Sequence, residues 1–266
     1  MKSILVIIQN IVGGAITVGL IELGRLFYRI YWHHNFKSLF GNDLFSSDGF
    51  HITYAKLLLP PLTKGDGSPH THPYLKPGEE SSGISFSIEN PVSSCELRAA
   101  KYLAEVMGKE AKKTPLLTAD LELRARVNIS FISIGGPASN YKSRDVLNNE
   151  KNNLIVFDDI FRTPNTRRPL VSHQGGFDYG LILKLNPNNF LNRVWLTCAG
   201  YGEWGSSGAA WYLAHKWREI VKFADNKPFC IITKVKIGQD ESAEPIVWLR
   251  SPYDAESYAD KIDSDN

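Results

Sequence analysis

At 266 residues with a net charge of only +2, the chain has no overall field strong enough to draw it to nucleic acid, and no nucleic-acid partner is expected. Cys95, Cys198 and Cys230 are an odd number without paired spacing, which excludes a disulfide framework and reads as reduced, structural thiols. With 43% hydrophobic residues and no internal repeat, the body of the chain suits one domain with a sizeable core.

In chain order, residues 3–23 come first, with few strongly polar side chains, chiefly Gln9, Asn10, Thr17 and Glu22. The stretch is long enough to cross a hydrocarbon core of about 30 Å as a helix and reads as a single transmembrane span. Its alternatives are a cleaved signal peptide, for which Lys2 alone would be the charged region, and a buried helix of a water-soluble core. Ala15 and Gly19, with Gly13, Gly14 and Thr17, offer small surfaces for a homo-oligomer formed through the span. Arg25, Phe27, Tyr28, Arg29, Tyr31, Trp32, His33, His34 and Lys37 then mix bases with belt aromatics. Because positive charge is heavier on this side, a single-pass membrane protein with a cytoplasmic C-terminal domain is expected. The division is an anchor over 1–32, a linker over 33–47, a domain over 48–250 and an acidic, disordered tail over 251–266.

Within the domain, residues 51–59 read as a strand, and Ile84, Phe86 and Ile88 alternate as a second. Between them, residues 63–83 are rich in glycine, proline and charge and suggest a lid or insertion; His70 and His72 lack partners at metal-ligand spacing, so no metal site is assigned. Ser93 with Glu96 is a capping box opening a helix through about Met107. Further strands are expected over 129–134, 154–157, 179–185, 194–199 and 229–237, with a short helix over 142–149 and an edge strand over 246–249. The segments over 179–185 and 194–198 pair as a hairpin. Helices interleaved with apolar strands argue for one Rossmann-like layered α/β domain behind the transmembrane helix.

The chain is organised around residues 194–217, where strand, glycine-rich turn and amphipathic helix follow without a gap. Gly200, Gly202 and Gly205 spell G-x-G-x-x-G, and Ser206 or Ser207 is a natural cap for a helix whose Ala210, Leu213, Ala214, Trp217 and Val221 form one stripe. A helix N-terminus at the carboxyl edge of a sheet attracts anions through its free N–H groups. The dinucleotide fingerprint is incomplete, because the caps fall beyond Gly205 and no acid follows at a strand end; without a lysine it is no Walker loop either. A second turn, Gly135 and Gly136 followed by Ser139 and Asn140, also leaves a strand end, and two such turns are expected to share one ligand crevice. Arg162, Arg167 and Arg168 form a cluster suited to phosphate, and Tyr201 or Trp204 to stacking on a base.

These features point to a membrane-anchored cytoplasmic sensor for a nucleotide or other phosphorylated small molecule, acting in signalling or defence. Two alternatives stay open. One is a nucleotide-processing hydrolase of a glycosidic or phosphate bond, with Glu203 or Asp178 as acid, base or nucleophile. The other is a membrane scaffold whose glycines serve packing alone. No cofactor is named by any motif.

Overall fold

The computed structural model describes residues 2–46, 49–56, 92–190 and 192–265. Its framework is a seven-stranded mixed sheet in the order β2-β1-β3-β7-β6-β8-β9. The strands are β1 (His51–Tyr54), β2 (Leu116–Ala119), β3 (Phe131–Ile134), β6 (Phe177–Leu185), β7 (Trp195–Gly200), β8 (Phe229–Lys236) and β9 (Gln239–Leu249). The strands β2, β1, β3 and β7 run parallel, while β6, β8 and β9 are joined by antiparallel pairing, with β6 and β7 forming the expected hairpin. A separate two-stranded ribbon pairs β4 (Val156–Phe157) with β5 (Phe161–Arg162).

Side chains alternate between two cores, as period two requires. Ile182 of β6 joins one face, packed under α1 (Lys2–Phe40), α2 (Ser94–Ala111) and α4 (Glu203–Ala224). Its neighbours Leu181 and Leu183 join the other, packed under α3 (Tyr141–Leu147), the ribbon and α5 (Pro252–Asp265). The result is an α/β domain with helices on both faces of a mixed sheet rather than the mainly parallel sheet of a Rossmann-like fold.

The expected membrane span is corrected here. Among the described residues, no helix is long and apolar enough to cross a membrane. The apolar N-terminal stretch is the first half of α1, which runs unbroken to Phe40, well inside what reads as a linker. In its last turns Trp32, Phe36, Leu39 and Phe40 are buried in the domain core, where Trp32 and Phe36 meet Trp217 of α4 edge-on at 5.4 and 4.9 Å. The bases and aromatics that resemble a headgroup belt therefore include core residues: Trp32 is 8% exposed and carries Arg218 over its ring. The single-pass topology, the membrane partner, the cytoplasmic orientation and the oligomer formed through a span all rested on that reading and fall with it.

The acidic tail is corrected as well. Residues after 251 form α5, whose Ala255 and Ala259 are buried against the sheet. Asp254 accepts hydrogen bonds from the Arg250 and Ser251 amides, an acid at a helix N-terminus where the dipole favours it. The loop over 63–83, its His70 and His72, and the strand of Ile84, Phe86 and Ile88 lie outside the described residues.

Candidate functional site

The strands β3 and β7 are adjacent and parallel, with Ile134 opposite Cys198, so their two glycine turns leave the same edge of the sheet. They open into a cleft of about 410 Å³. The first turn contributes Gly135, Gly136 and Ser139 to its wall, and the second Gly200, Tyr201, Gly202, Glu203 and Ser206. The remaining wall comes from the start of α2, with Ser93, Cys95 and Glu96, and from the tip of the β4–β5 ribbon, with Phe157, Asp158 and Asp159.

The start of α4 differs from expectation, and the difference decides the chemistry. The helix is capped at Gly202 and begins at Glu203, inside the glycine pattern, so neither serine is its cap. Ser206 turns back onto the Gly202 carbonyl, and Ser207 is buried and donates to Asp240. Two of the backbone donors at this end are already taken. Asp178, on β6 and 8% exposed, accepts from the Tyr179 amide at 2.7 Å, the Gly202 amide at 3.1 Å and the Gly205 amide at 2.7 Å. A protein carboxylate thus fills the place a phosphate would occupy at this helix N-terminus. The glycines allow this close packing: a Cβ on Gly205 would lie 2.1 Å from the Tyr179 carbonyl oxygen, and one on Gly202 would lie 2.7 Å from Asp178 Oδ2.

The phosphate-gripping residues are also placed elsewhere. Arg168 is bonded to Glu256, Asp260 and Asp263 of α5. Arg162 pairs with Asp158 at 3.2 Å, and Arg167 sits in a left-handed turn whose carbonyl accepts from Arg162. Trp204 lies outside the cleft wall, under the Arg98 guanidinium at 4.2 Å. Asn140 is buried as the cap of α3, accepting from the Lys142 and Ser143 amides. Tyr201 does line the cleft, but its hydroxyl accepts from the Phe161 amide and its ring packs on Phe161 at 4.4 Å. Among the described residues no lysine, arginine or histidine lines the cleft, and with its helix N-terminus occupied by Asp178 nothing in it matches a nucleotide site. The nucleotide-sensor reading is overturned on this ground as well as by the missing span.

The cleft instead collects carboxylates. Glu96 is only 7% exposed; its Oε2 accepts from the Ala55 amide at 2.8 Å, across from the end of β1. Burial, reinforced by the charges of Asp120 and Glu203, pushes its carboxyl up to about 7. Its Oε1 lies beside Gly135, where a Cβ would come within 2.7 Å of it; with φ +98° that position suits glycine on both counts. Glu203 accepts from the Cys95 thiol at 3.3 Å, and Cys95 Sγ in turn accepts from Arg98 at 3.1 Å. Burial and the bond to Glu203 raise the Cys95 thiol above its usual value, so it serves as a donor, not a nucleophile. Asp158 is held below the usual carboxylate range by the Ile160 and Asp159 amides and by Arg162.

Glu96 was missed because the capping-box spacing assigns it to its own helix. Ser93 does cap α2 through the Cys95 amide, but Glu96 reaches across to β1 instead. A buried acid beside an apolar face, Ala99, Ala100 and Leu103, was the available signal. The chain matches no family model, no curated protein and no solved structure.

Proposed function

We propose that the protein is a hydrolase whose proton donor is Glu96, acting in this cleft on a small molecule without a phosphate group. The observation that carries the reading is the opposite perturbation of two carboxylates on one wall: burial keeps a proton on Glu96 up to about 7, while amide and guanidinium hydrogen bonds keep Asp158 ionised. Acid–base hydrolysis needs such a pair.

The proton has a defined place. Because Glu96 Oε2 accepts the Ala55 amide, the acidic hydrogen sits on Oε1, on the Gly135 side. In the reaction Glu96 gives this proton to the leaving oxygen or nitrogen as its bond to carbon breaks. Asp158, held ionised, takes a proton from the water whose oxygen bonds to that carbon, and passing that proton to Glu96 restores both groups. One water is consumed per bond cleaved. Asp178 has no place in these steps, because its oxygens are bound to the β6–α4 backbone.

The test is turnover of alkyl esters, alkyl glycosides and simple amides, whose leaving groups need a proton, by the full chain between pH 5 and 9, with an alkyl phosphate as control. Turnover of a non-phosphate probe falls as pH rises through about 7, and Glu96→Gln lowers it by about 10² or more, the usual contribution of a general acid. Turnover untouched by Glu96→Gln, or none of any probe by folded protein, removes the reading.

A further inference from the structure

We infer that the groove between α1 and the end of α2 docks an acidic amphipathic helix of another protein, held by Arg29 and Lys112. The groove lies at the opposite end of α2 from the cleft and is independent of the hydrolytic reading.

Two ridges of α1 form one side of the groove. Gly24, Tyr28 and Trp32 stand four residues apart along the first, and Arg25, Arg29 and His33 along the second. Ala111 and Lys112 at the α2 terminus and Arg218 of α4 form the facing wall. From Gly24 to His33 the helix runs about 14 Å, so a volume of about 850 Å³ leaves a mean cross-section of about 60 Å². That width suits a helix about 10 Å across, partly sunk into the groove, rather than a single extended chain. The apolar surface also continues beyond the groove, since Leu20, Ile21, Leu23, Leu26, Phe27 and Ile30 of the same helix are about half exposed or more. Contiguous apolar surface of this kind marks an interaction site.

Charge selects the partner. The groove carries Arg25, Arg29, Lys112 and Arg218 against a single acid, Glu110. Glu110 is bonded to Arg218 at 3.1 Å and Arg25 to Glu22, which leaves Arg29 and Lys112 without an acidic partner among the described residues. Both are exposed, one on each wall, where carboxylates flanking the apolar stripe of an incoming helix would meet them. A second copy of this chain fits poorly, because its own α1 sets Arg25 and Arg29 against the same bases. Trp32, at the base of the groove, has its indole Nε1 buried with no acceptor among the described residues, so the wall an occupant meets is not fully satisfied as it stands.

The test is fluorescence anisotropy of the full chain with two hydrocarbon-stapled helices of about 14 residues, long enough to span the groove. They share one leucine face and carry either glutamate or lysine on both flanks of it. The glutamate helix binds at least about tenfold more tightly, and its affinity falls as NaCl is raised. Arg29→Glu and Lys112→Glu, both at exposed positions, each weaken the glutamate helix by about fivefold and strengthen the lysine helix. Tyr28→Ala, which removes apolar wall without changing charge, weakens both. Equal affinity for the two helices, or no binding of the glutamate helix up to millimolar concentration, overturns the inference. So do a dimer that excludes the glutamate helix, and binding of phosphatidylcholine–phosphatidylserine vesicles that the glutamate helix does not displace. None of these readouts depends on turnover in the cleft.

Discussion

Two acid-rich regions of the molecule are built on opposite terms. At α5, Glu256, Asp260 and Asp263 converge on one guanidinium, that of Arg168. Burial pushes Glu256 upward, but hydrogen bonds from Thr166 and Arg168 prevail and hold it at about 2. At the cleft, Glu96 and Asp159 have no basic partner among the described residues, and Glu96 answers by keeping its proton. A chain of net charge +2 thus separates charge locally. The α5 acids are spent on one arginine, whereas Glu96 and Asp159 of the cleft are not. The arginines that look suited to phosphate are likewise dispersed, since Arg168 ties α5 to the domain while Arg162 pairs with Asp158.

The largest effect is expected where the start of α4 packs on β6. Gly205→Ala drives a Cβ to 2.1 Å from the Tyr179 carbonyl, a backbone contact that nothing flexible can relieve. It costs about 3 kcal/mol or more in urea unfolding. Asp178→Asn follows at about 2 kcal/mol, because an amide nitrogen then faces one of the N–H groups that Asp178 now satisfies. An unfolding midpoint unchanged by either substitution removes the packing account of the glycine turn.

Next comes the cleft acid itself. Glu96 has a folded-state pKa raised from 4.5 to about 7, so its contribution to stability is fully present below about pH 4.5 and is lost as pH rises through about 7. The loss amounts to roughly 2–3 kcal/mol over that window. Glu96→Gln, which keeps an acceptor for the Ala55 amide, flattens that part of the pH–stability profile and is the more stable protein at pH 8. The smallest effect is at α5: Arg168→Ala leaves the sheet and the cleft unchanged and speeds amide hydrogen exchange within residues 252–265, and exchange equal to the wild type removes the clamp.

Legibility in the sequence followed the range of each interaction. The hairpin of β6 and β7, the helix after Ser93 and the two glycine turns are local patterns and could be read directly. That the turns meet required only that two strands be neighbours. Asp178 could not be assigned its role, because the amides it holds at Gly202 and Gly205 lie more than twenty residues along the chain and are reached only through strand pairing. Local hydropathy misled at the N-terminus, since a window over residues 3–23 does not register that the same helix ends among Trp32, Phe36 and Phe40 in the core. In the tail, the acids hid an Ala255–Ala259 pair at helical spacing that was the signal for α5.

The central claim is that Glu96 carries a proton into the neutral range at an open wall of the cleft. Carbon-13 NMR of glutamate-labelled protein, with the resonance assigned by its loss in Glu96→Gln, follows that carboxyl directly. A midpoint near 7 is the expected result. A midpoint near 4.5, the ordinary value for a glutamate, contradicts the account and removes Glu96 as the acid.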